Sequence, residues 1–354
     1  MKAFEIIDKL DKFGQAELCE YEYLVKNMDK KTALYAQEKA VEVRKRVYGN
    51  AVFVRGLVEI SNICKNDCFY CGIRKSNNTC QRYRLTEEEI LACCDEGERL
   101  GFKTFVLQGG EDRHFSDEIL CGIIRKIKQR HKECAVTLSL GERTKESYAL
   151  LKEAGADRYL LRHETADKEH YKKLHPSKMS FENRIKCLKT LKELGYQTGC
   201  GFMVGSPYQT IETVAKDLKF IEEFSPDMCG IGPFIPHKNT PFAKEQAGTL
   251  DMTCFLLSVI RLIKPNILLP ATTALGTIDK EGRERGILAG ANVVMPNLSP
   301  VSVRKKYELY DNKICTGEES AECKSCLENR MKKIGYEIVS SRGDIRKDEE
   351  NGKI

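Results

Sequence analysis

No apolar stretch of the 354-residue sequence approaches the roughly 18 residues that a membrane span needs, and the best candidate, residues 254–263, is broken by Arg261. Also missing is the charge-free run of a secretory signal. The opening MKAFEIIDKLDKF threads acids and bases through its apolar positions, so the chain is expected to be cytoplasmic, with no membrane partner. Charge of one sign is lacking too: 58 Lys and Arg stand against 52 Asp and Glu, a net +6, and the basic residues mostly alternate with acids along helical stretches. That is a solvated face, and no nucleic-acid partner is expected. Charged residues at 31% and apolar ones at 41% exclude disorder. The 16 cysteines fall short of the roughly 8 to 10% that marks a disulfide scaffold, yet they are many for a cytosolic chain. Thiols in such a chain serve a metal.

Residues 1–50 carry helical periodicity (Phe4, Ile7, Leu10; then Ala33, Ala36, Ala40, Val43) and read as an N-terminal helical extension. From residue 51 short β-rich runs alternate with amphipathic segments, with strands expected over 52–60, 104–108, 135–140, 157–162, 199–204, 227–232, 267–273 and 291–296. The intervening helices have plausible caps in Thr86, Thr144 and Ser180, and plausible ends at Gly101, Gly155 and Gly195. Strand then helix, repeated, demands a parallel sheet with right-handed crossovers. Eight such units over 51–300 fit an α/β fold of the (β/α)8 TIM-barrel type. An open doubly wound sheet fits less well, because no G-x-G-x-x-G follows the first strand. Residues 301–354 form a C-terminal segment with cysteines of its own. The tail from Gly343 has almost no apolar content and is expected to fray.

After the first strand comes Cys64-Lys-Asn-Asp-Cys68-Phe-Tyr70-Cys71. Three thiols in one loop can hold three corners of a cubane 4Fe-4S cluster and leave the fourth iron without a protein ligand. Zinc would want a fourth donor, and none follows at finger spacing. This C-x3-C-x2-C spacing resembles the signature of the radical S-adenosylmethionine (SAM) superfamily. Near the C-terminus Cys315, Cys323 and Cys326 form a second group, with the spacing of an auxiliary iron-sulfur cluster or, alternatively, of zinc. Most other cysteines, Cys93, Cys94, Cys187 and Cys229 among them, lie in apolar-periodic segments and read as small buried hydrophobes.

The superfamily resemblance implies SAM as cofactor and assigns residues at successive strand ends. Gln108-Gly109-Gly110-Glu111 matches the motif at the methionine ammonium. Glu164 of Arg162-His-Glu-Thr, and Arg184, would pair with the SAM carboxylate, amine and ribose. Met203 lies in a glycine-bounded motif after strand five, Ile231 would offer a backbone contact to adenine, and Tyr70 belongs to the same set. The blocks RYLLRHET, SFENR, LKELGY, GIGPFIPH, PATTALGT, GANVVMPN and KIC-x7-CxxC, over roughly 50–335, resemble the HydE family of FeFe-hydrogenase maturases. Methylornithine synthase and biotin synthase share the barrel and the first motif and are the alternatives among enzymes. An iron-sulfur scaffold without catalysis is the alternative outside them, but a scaffold has no use for Glu111, Glu164 and Arg184.

The HydE resemblance implies a deoxyadenosyl radical acting on a cysteine-bearing iron carbonyl-cyanide species made by HydG, on the way to the diiron precursor that HydF carries, with a low-potential electron donor. For that anionic substrate the candidate contacts are Arg55, Arg158, Arg162, Thr137, Ser139, Thr272, Thr273 and Met295, placed at the barrel mouth. Tyr307 and Tyr310, on one helical face past strand eight, would cap it.

Overall fold

The computed structural model describes residues 2–317 and 324–346. It begins with helices α1 (Lys2–Phe13), α2 (Leu18–Lys26) and α3 (Lys30–Tyr48). Strands β1 (Ala51–Val54) and β2 (Gly56–Ser61) lead to α4 (Glu87–Arg99), then β3 (Thr104–Gly109), α5 (Asp117–Arg130), β4 (Ala135–Ser139), α6 (Lys145–Glu153) and β5 (Arg158–Leu160). Next come α7 (Lys168–Leu174), α8 (Phe181–Glu193), β6 (Gln197–Cys200), β7 (Met203–Val204), α9 (Ile211–Phe224), β8 (Met228–Cys229) and β9 (Gly232–Pro233). The chain continues through α10 (Leu250–Ile263), α11 (Thr273–Ile278), α12 (Gly282–Leu288), β10 (Val293–Val294), α13 (Val301–Arg304), α14 (Lys324–Lys333) and β11 (Glu337–Val339).

Strands β2, β3, β4, β5, β6 and β8 pair in that order, all parallel. Parallel bridges from Met228 to Leu268, from Pro270 to Val293 and from Leu57 to Asn297, with β10 beside β1, close the ring. The fold is a (β/α)8 TIM-type barrel. Every residue of β2 is buried, as expected of a strand covered on both faces. The expected strand over 267–273 survives only as bridges at Leu268 and Pro270. Proline brings no N–H to a ladder, and α11 begins at Thr273. The three anticipated caps are made: Thr86 accepts from Glu89 N, Thr144 from Ser147 N and Ser180 from Asn183 N. Among the described residues, no helix is long and apolar enough to cross a membrane.

At the floor of the barrel the first four residues of the tail expected to fray are held in place. Strand β11 pairs in parallel with β1, and the residues after it run beneath the barrel. There the Arg342 carbonyl accepts from Arg158 Nη2 (2.7 Å) and Thr104 Oγ1 (2.8 Å), and Asp344 accepts from Gln197 Nε2 (2.8 Å). Residues 343–346 are therefore held by polar contacts, although they offer little apolar surface. Residues 347–354 lie outside the described residues.

Candidate active site

Residues 62–84 loop out from the C-terminal end of β2 and carry the first three thiols. Arg82 organises this loop by donating to the carbonyls of Asn62, Ile73, Arg74 and Asn77. Asp67 accepts from Arg74 Nε (2.7 Å) and Ser76 Oγ (2.7 Å), and the Arg74 contact leads in holding its carboxyl below the usual range. Across the strand ends, the Glu111 N–H points at Cys64 Sγ (3.4 Å), and Cys68 Sγ lies 3.7 Å from Met179 Sδ. Gly110 is needed here: a Cβ would meet Ile63 O at 2.3 Å and Cys64 Cβ at 2.8 Å.

Burial pushes all three thiols up, Cys71 to about 12, and the field of the Cys64 thiol adds to the shift at both Cys68 and Cys71. Thiols that oppose one another's ionisation suit cationic iron, which turns the local balance toward thiolate. Among the described residues, no three His, Cys, Asp or Glu side chains converge as one metal ion would need. A cubane asks something different, one thiolate on each of three irons, and this donor set fits it.

Charged side chains stand beside the loop. Glu164 has a positive φ of 66° and forms an ion pair with Arg162 at 3.1 Å. Glu164 Oε2 and Arg162 Nε and Nη2 are buried and, apart from this ion pair, have no hydrogen-bond partner. Buried polar atoms are normally satisfied. Opposite charges with unused hydrogen-bonding capacity, Glu164 beside Cys71 among them, fit a zwitterionic ligand such as SAM. Arg184, six per cent exposed, donates to Glu142 Oε1 and to Arg162 O (2.6 Å) and faces Cys68. Tyr70 bonds His175 Nε2 (3.2 Å), and its phenol is raised by burial. Met203 packs with Leu174, Phe234 and Phe242. Ile231 is fully buried after β8, and Gly109 ends β3.

Deeper in the barrel, the hydroxyls of Thr137 and Thr272 are also buried without a partner. Ser139 ends β4, Thr273 opens α11, and Met295 packs with Met228, Leu268 and Val293. Gln108 Nε2 reaches the Tyr307 hydroxyl at 3.4 Å, which ties the strand-two motif to the segment after α13. Tyr307 and Tyr310 are not on a helix as anticipated, because α13 ends at Arg304 and both sit in a strap that crosses the mouth. Gly72 N donates to Leu309 O (2.8 Å), Asn62 Nδ2 to Lys306 O (2.7 Å) and Asp311 N to Pro236 O (3.1 Å), so the strap is tied to two strand ends.

Two arginines are elsewhere than the sequence suggested. Arg158 is the first residue of β5, and Arg55 precedes β2; a parallel barrel puts both positions at its floor, opposite the thiols. Arg158 bonds Asp344 and the Arg342 carbonyl, and Arg55 lies against Met228 Sδ (2.9 Å) and Gly343 O (3.4 Å). Arg55 Nε is buried there without a hydrogen-bond partner. In the second thiol group Cys315 is half-buried, with Sγ 2.9 Å from Arg283 Nη2; Cys326 is exposed on α14, and Cys323 lies outside the described residues.

Sequence reasoning missed Glu142, which holds Arg184, and the buried pair of Glu59 and Lys313. A signal existed for each: Glu142 follows β4 at a strand end, Glu59 is a lone acid in an apolar strand, and Lys313 opens the KIC block.

A barrel whose first strand leads into a three-thiol loop beside the charges of Glu164 and Arg184 fits a radical SAM enzyme, and residues 58–221 match the model of the radical SAM superfamily. Within it the chain belongs to the HydE family: it is 47% identical over 296 residues to the FeFe hydrogenase maturase subunit HydE of Thermotoga maritima, covering 84% of each chain. It is also 28% identical over 339 residues to 3-methylornithine synthase of Methanosarcina acetivorans, covering 93% of this chain and 94% of that one. The crystal structure of methylornithine synthase superposes with a TM-score of 0.82 at 26% identity, covering 94% of this chain and 97% of that one. The superfamily implies a 4Fe-4S cluster and SAM.

Proposed function

We propose that the chain carries out the HydE step of FeFe-hydrogenase maturation on a small, anionic, cysteine-bearing iron carbonyl-cyanide species supplied by HydG, on the way to the diiron unit that HydF carries. The observation that supports this most is the three-thiol loop beside the charges of Glu164 and Arg184, in a chain 47% identical to a HydE. Bound there, the cluster and SAM supply a deoxyadenosyl radical when a low-potential donor delivers one electron. Cys64, Cys68 and Cys71 hold the cluster. Glu164 and Arg184 orient SAM by charge, Glu142 keeps Arg184 in place, and Gly110 lets the strand-two backbone approach. Arg162, Thr137, Ser139, Thr272, Thr273 and Met295 face the substrate. Tyr307 and Tyr310 close the mouth and exclude water. Cys315, Cys323 and Cys326 hold an auxiliary iron-sulfur cluster, and the enzyme works in the cytoplasm.

The test is anaerobic reconstitution followed by activation of apo-hydrogenase in the presence of the companion maturases, with lysine offered separately. Activation that needs this protein, with no methylornithine formed, supports the reading. Methylornithine formation without activation overturns it in favour of the carbon-skeleton mutase.

A further inference from the structure

His163 and Asp217 are fully buried, polar and unused by the chemistry above. His163 precedes Glu164, and Asp217 lies on α9, packed behind the end of the barrel's fourth strand. Nε2 of His163 is 3.4 Å from Oδ1 of Asp217. On its other side, Nδ1 accepts from the Gly201 N–H at 3.3 Å, so the ring proton resides on Nε2, near the carboxyl but outside hydrogen-bond geometry. Burial holds the imidazole neutral, with its pKa pushed down to about 3. Asp217 Oδ1 also accepts from the Ala166 N–H.

These contacts bracket one residue. Asp217 touches the side chain of the residue before Glu164 and the backbone of the residue two after it. Glu164 N itself donates to Gly201 O (3.0 Å), the glycine whose N–H binds His163. Gly201 cannot be exchanged, since a Cβ would lie 2.1 Å from Gly230 O at a φ of 153°. Between these anchors Glu164 adopts the left-handed conformation, which is costly for a residue with a side chain and persists only where its surroundings impose it.

We propose that His163 and Asp217 are positioning residues that hold the 163–166 turn so that the Glu164 carboxylate is presented to SAM. The inference rests on Glu164 being a SAM contact. Among the described residues, the pair makes its side-chain ion pair and hydrogen bonds within itself, with Gly201 N and with Ala166 N, and none with the three thiols. It acts through backbone geometry, so its loss lowers the fraction of molecules with Glu164 in place and weakens SAM binding without removing the cluster.

The test uses the anaerobically reconstituted full chain, with SAM titrated as the probe and three readouts: dissociation constant, iron content, and the change that SAM causes in the electron paramagnetic resonance spectrum of the reduced protein. Asp217→Asn and His163→Leu are expected to bind SAM about tenfold more weakly, a loss of about 1.4 kcal/mol, with iron content unchanged and a smaller spectral change. His163→Gln, which keeps an acceptor and a donor, should recover most of the affinity. Placed on Glu164→Gln, Asp217→Asn should cost almost nothing more, because the carboxylate it positions is gone. Additive losses, or native SAM affinity in both Asp217→Asn and His163→Leu, would overturn the proposal. Native affinity in Glu164→Gln alone would refute the assignment of Glu164, and the proposal with it. If His163→Leu does not fold, His163→Gln and Asp217→Asn decide.

Discussion

Lys313 on the strap over the barrel mouth inserts its ammonium beside the carboxylate of Glu59 on the first barrel strand, with their side chains 7% and 1% exposed. Asn297 Nδ2 satisfies the other Glu59 oxygen at 2.9 Å, and Lys313 also donates to Tyr307 O at 2.8 Å. Burial pushes the Glu59 carboxyl up, while Lys313 and Asn297 pull it back toward the charged form. One strap residue thus pins a mouth-crossing segment into the barrel wall.

Removing one member of a buried pair leaves the other charge uncompensated, which typically costs about 3 to 5 kcal/mol, whereas replacing both can be nearly neutral. Lys313→Met and Glu59→Gln should each lower the melting temperature and speed hydrogen exchange through 306–315. The double variant should melt closer to the native protein than either. A double variant that melts at the sum of the two single losses would show that the two do not act as a pair.

At the floor, Asp344 answers to Arg342 (2.8 Å), Gln197 and Arg158. Burial opposes its ionisation, but these donors outweigh it and hold the carboxyl below the ordinary range. A depressed carboxyl stabilises the fold above its unfolded pKa, about 3.9, and that contribution fades as pH falls below it. The melting difference between the native protein and Asp344→Asn should be full near neutral pH and should shrink on acidification below about pH 4. Arg158→Ala should destabilise the fold but leave SAM affinity unchanged, which a SAM titration beside the melt would check.

Much of this was legible in sequence because it is local. The three thiols lie in one loop, the caps at Thr86, Thr144 and Ser180 are set by neighbours three residues on, and the strand-helix alternation specifies a parallel barrel. What depends on depth along a strand was not legible. Arg158 and Glu164 are six residues apart in one block, yet one lies at the floor and the other at the mouth, and composition carries no sign of which end of a three-residue strand a side chain occupies. The contacts of residues 343–346 were not legible for a related reason. Polarity from Gly343 onward suggests solvent, whereas the partners of 343–346 are polar and charged side chains far away in sequence, Arg158, Gln197 and Arg55 among them.

The cluster assignment has its own test. Replacing Cys64, Cys68 and Cys71 together with Ala should abolish deoxyadenosine release from reduced protein, because no electron can then be delivered to SAM. If Cys315, Cys323 and Cys326 hold the proposed auxiliary cluster, the same change there should lower the iron content while SAM cleavage continues. Cys315 is half-buried and Cys326 exposed, and Cys315 contacts Arg283, away from the charges around Cys68. Deoxyadenosine release, with iron counted in each variant, separates the two groups. Loss of cleavage in the second variant, still folded, would make the auxiliary site part of the radical machinery.

Thr137 and Thr272 offer the sharpest separation of function from stability. Their hydroxyls are buried and unpartnered, and Thr272, although it precedes α11, makes no capping bond with its side chain. Its Oγ1 instead packs over Gly232, close enough to fall 2.8 Å from a Cβ placed there. An unsatisfied buried hydroxyl costs about 1 to 3 kcal/mol. Valine has the same shape without that cost, so Thr137→Val and Thr272→Val should each raise the melting temperature. If these hydroxyls are kept to bind the ligands of an iron-bearing substrate, the same variants should cut hydrogenase activation several-fold while SAM affinity and uncoupled deoxyadenosine release stay near native values. Thermal melts alongside the maturation assay check both halves. Variants that are more stable and fully active would free these threonines from the substrate site, and variants that are less stable would mean that the hydroxyls have partners in the folded protein.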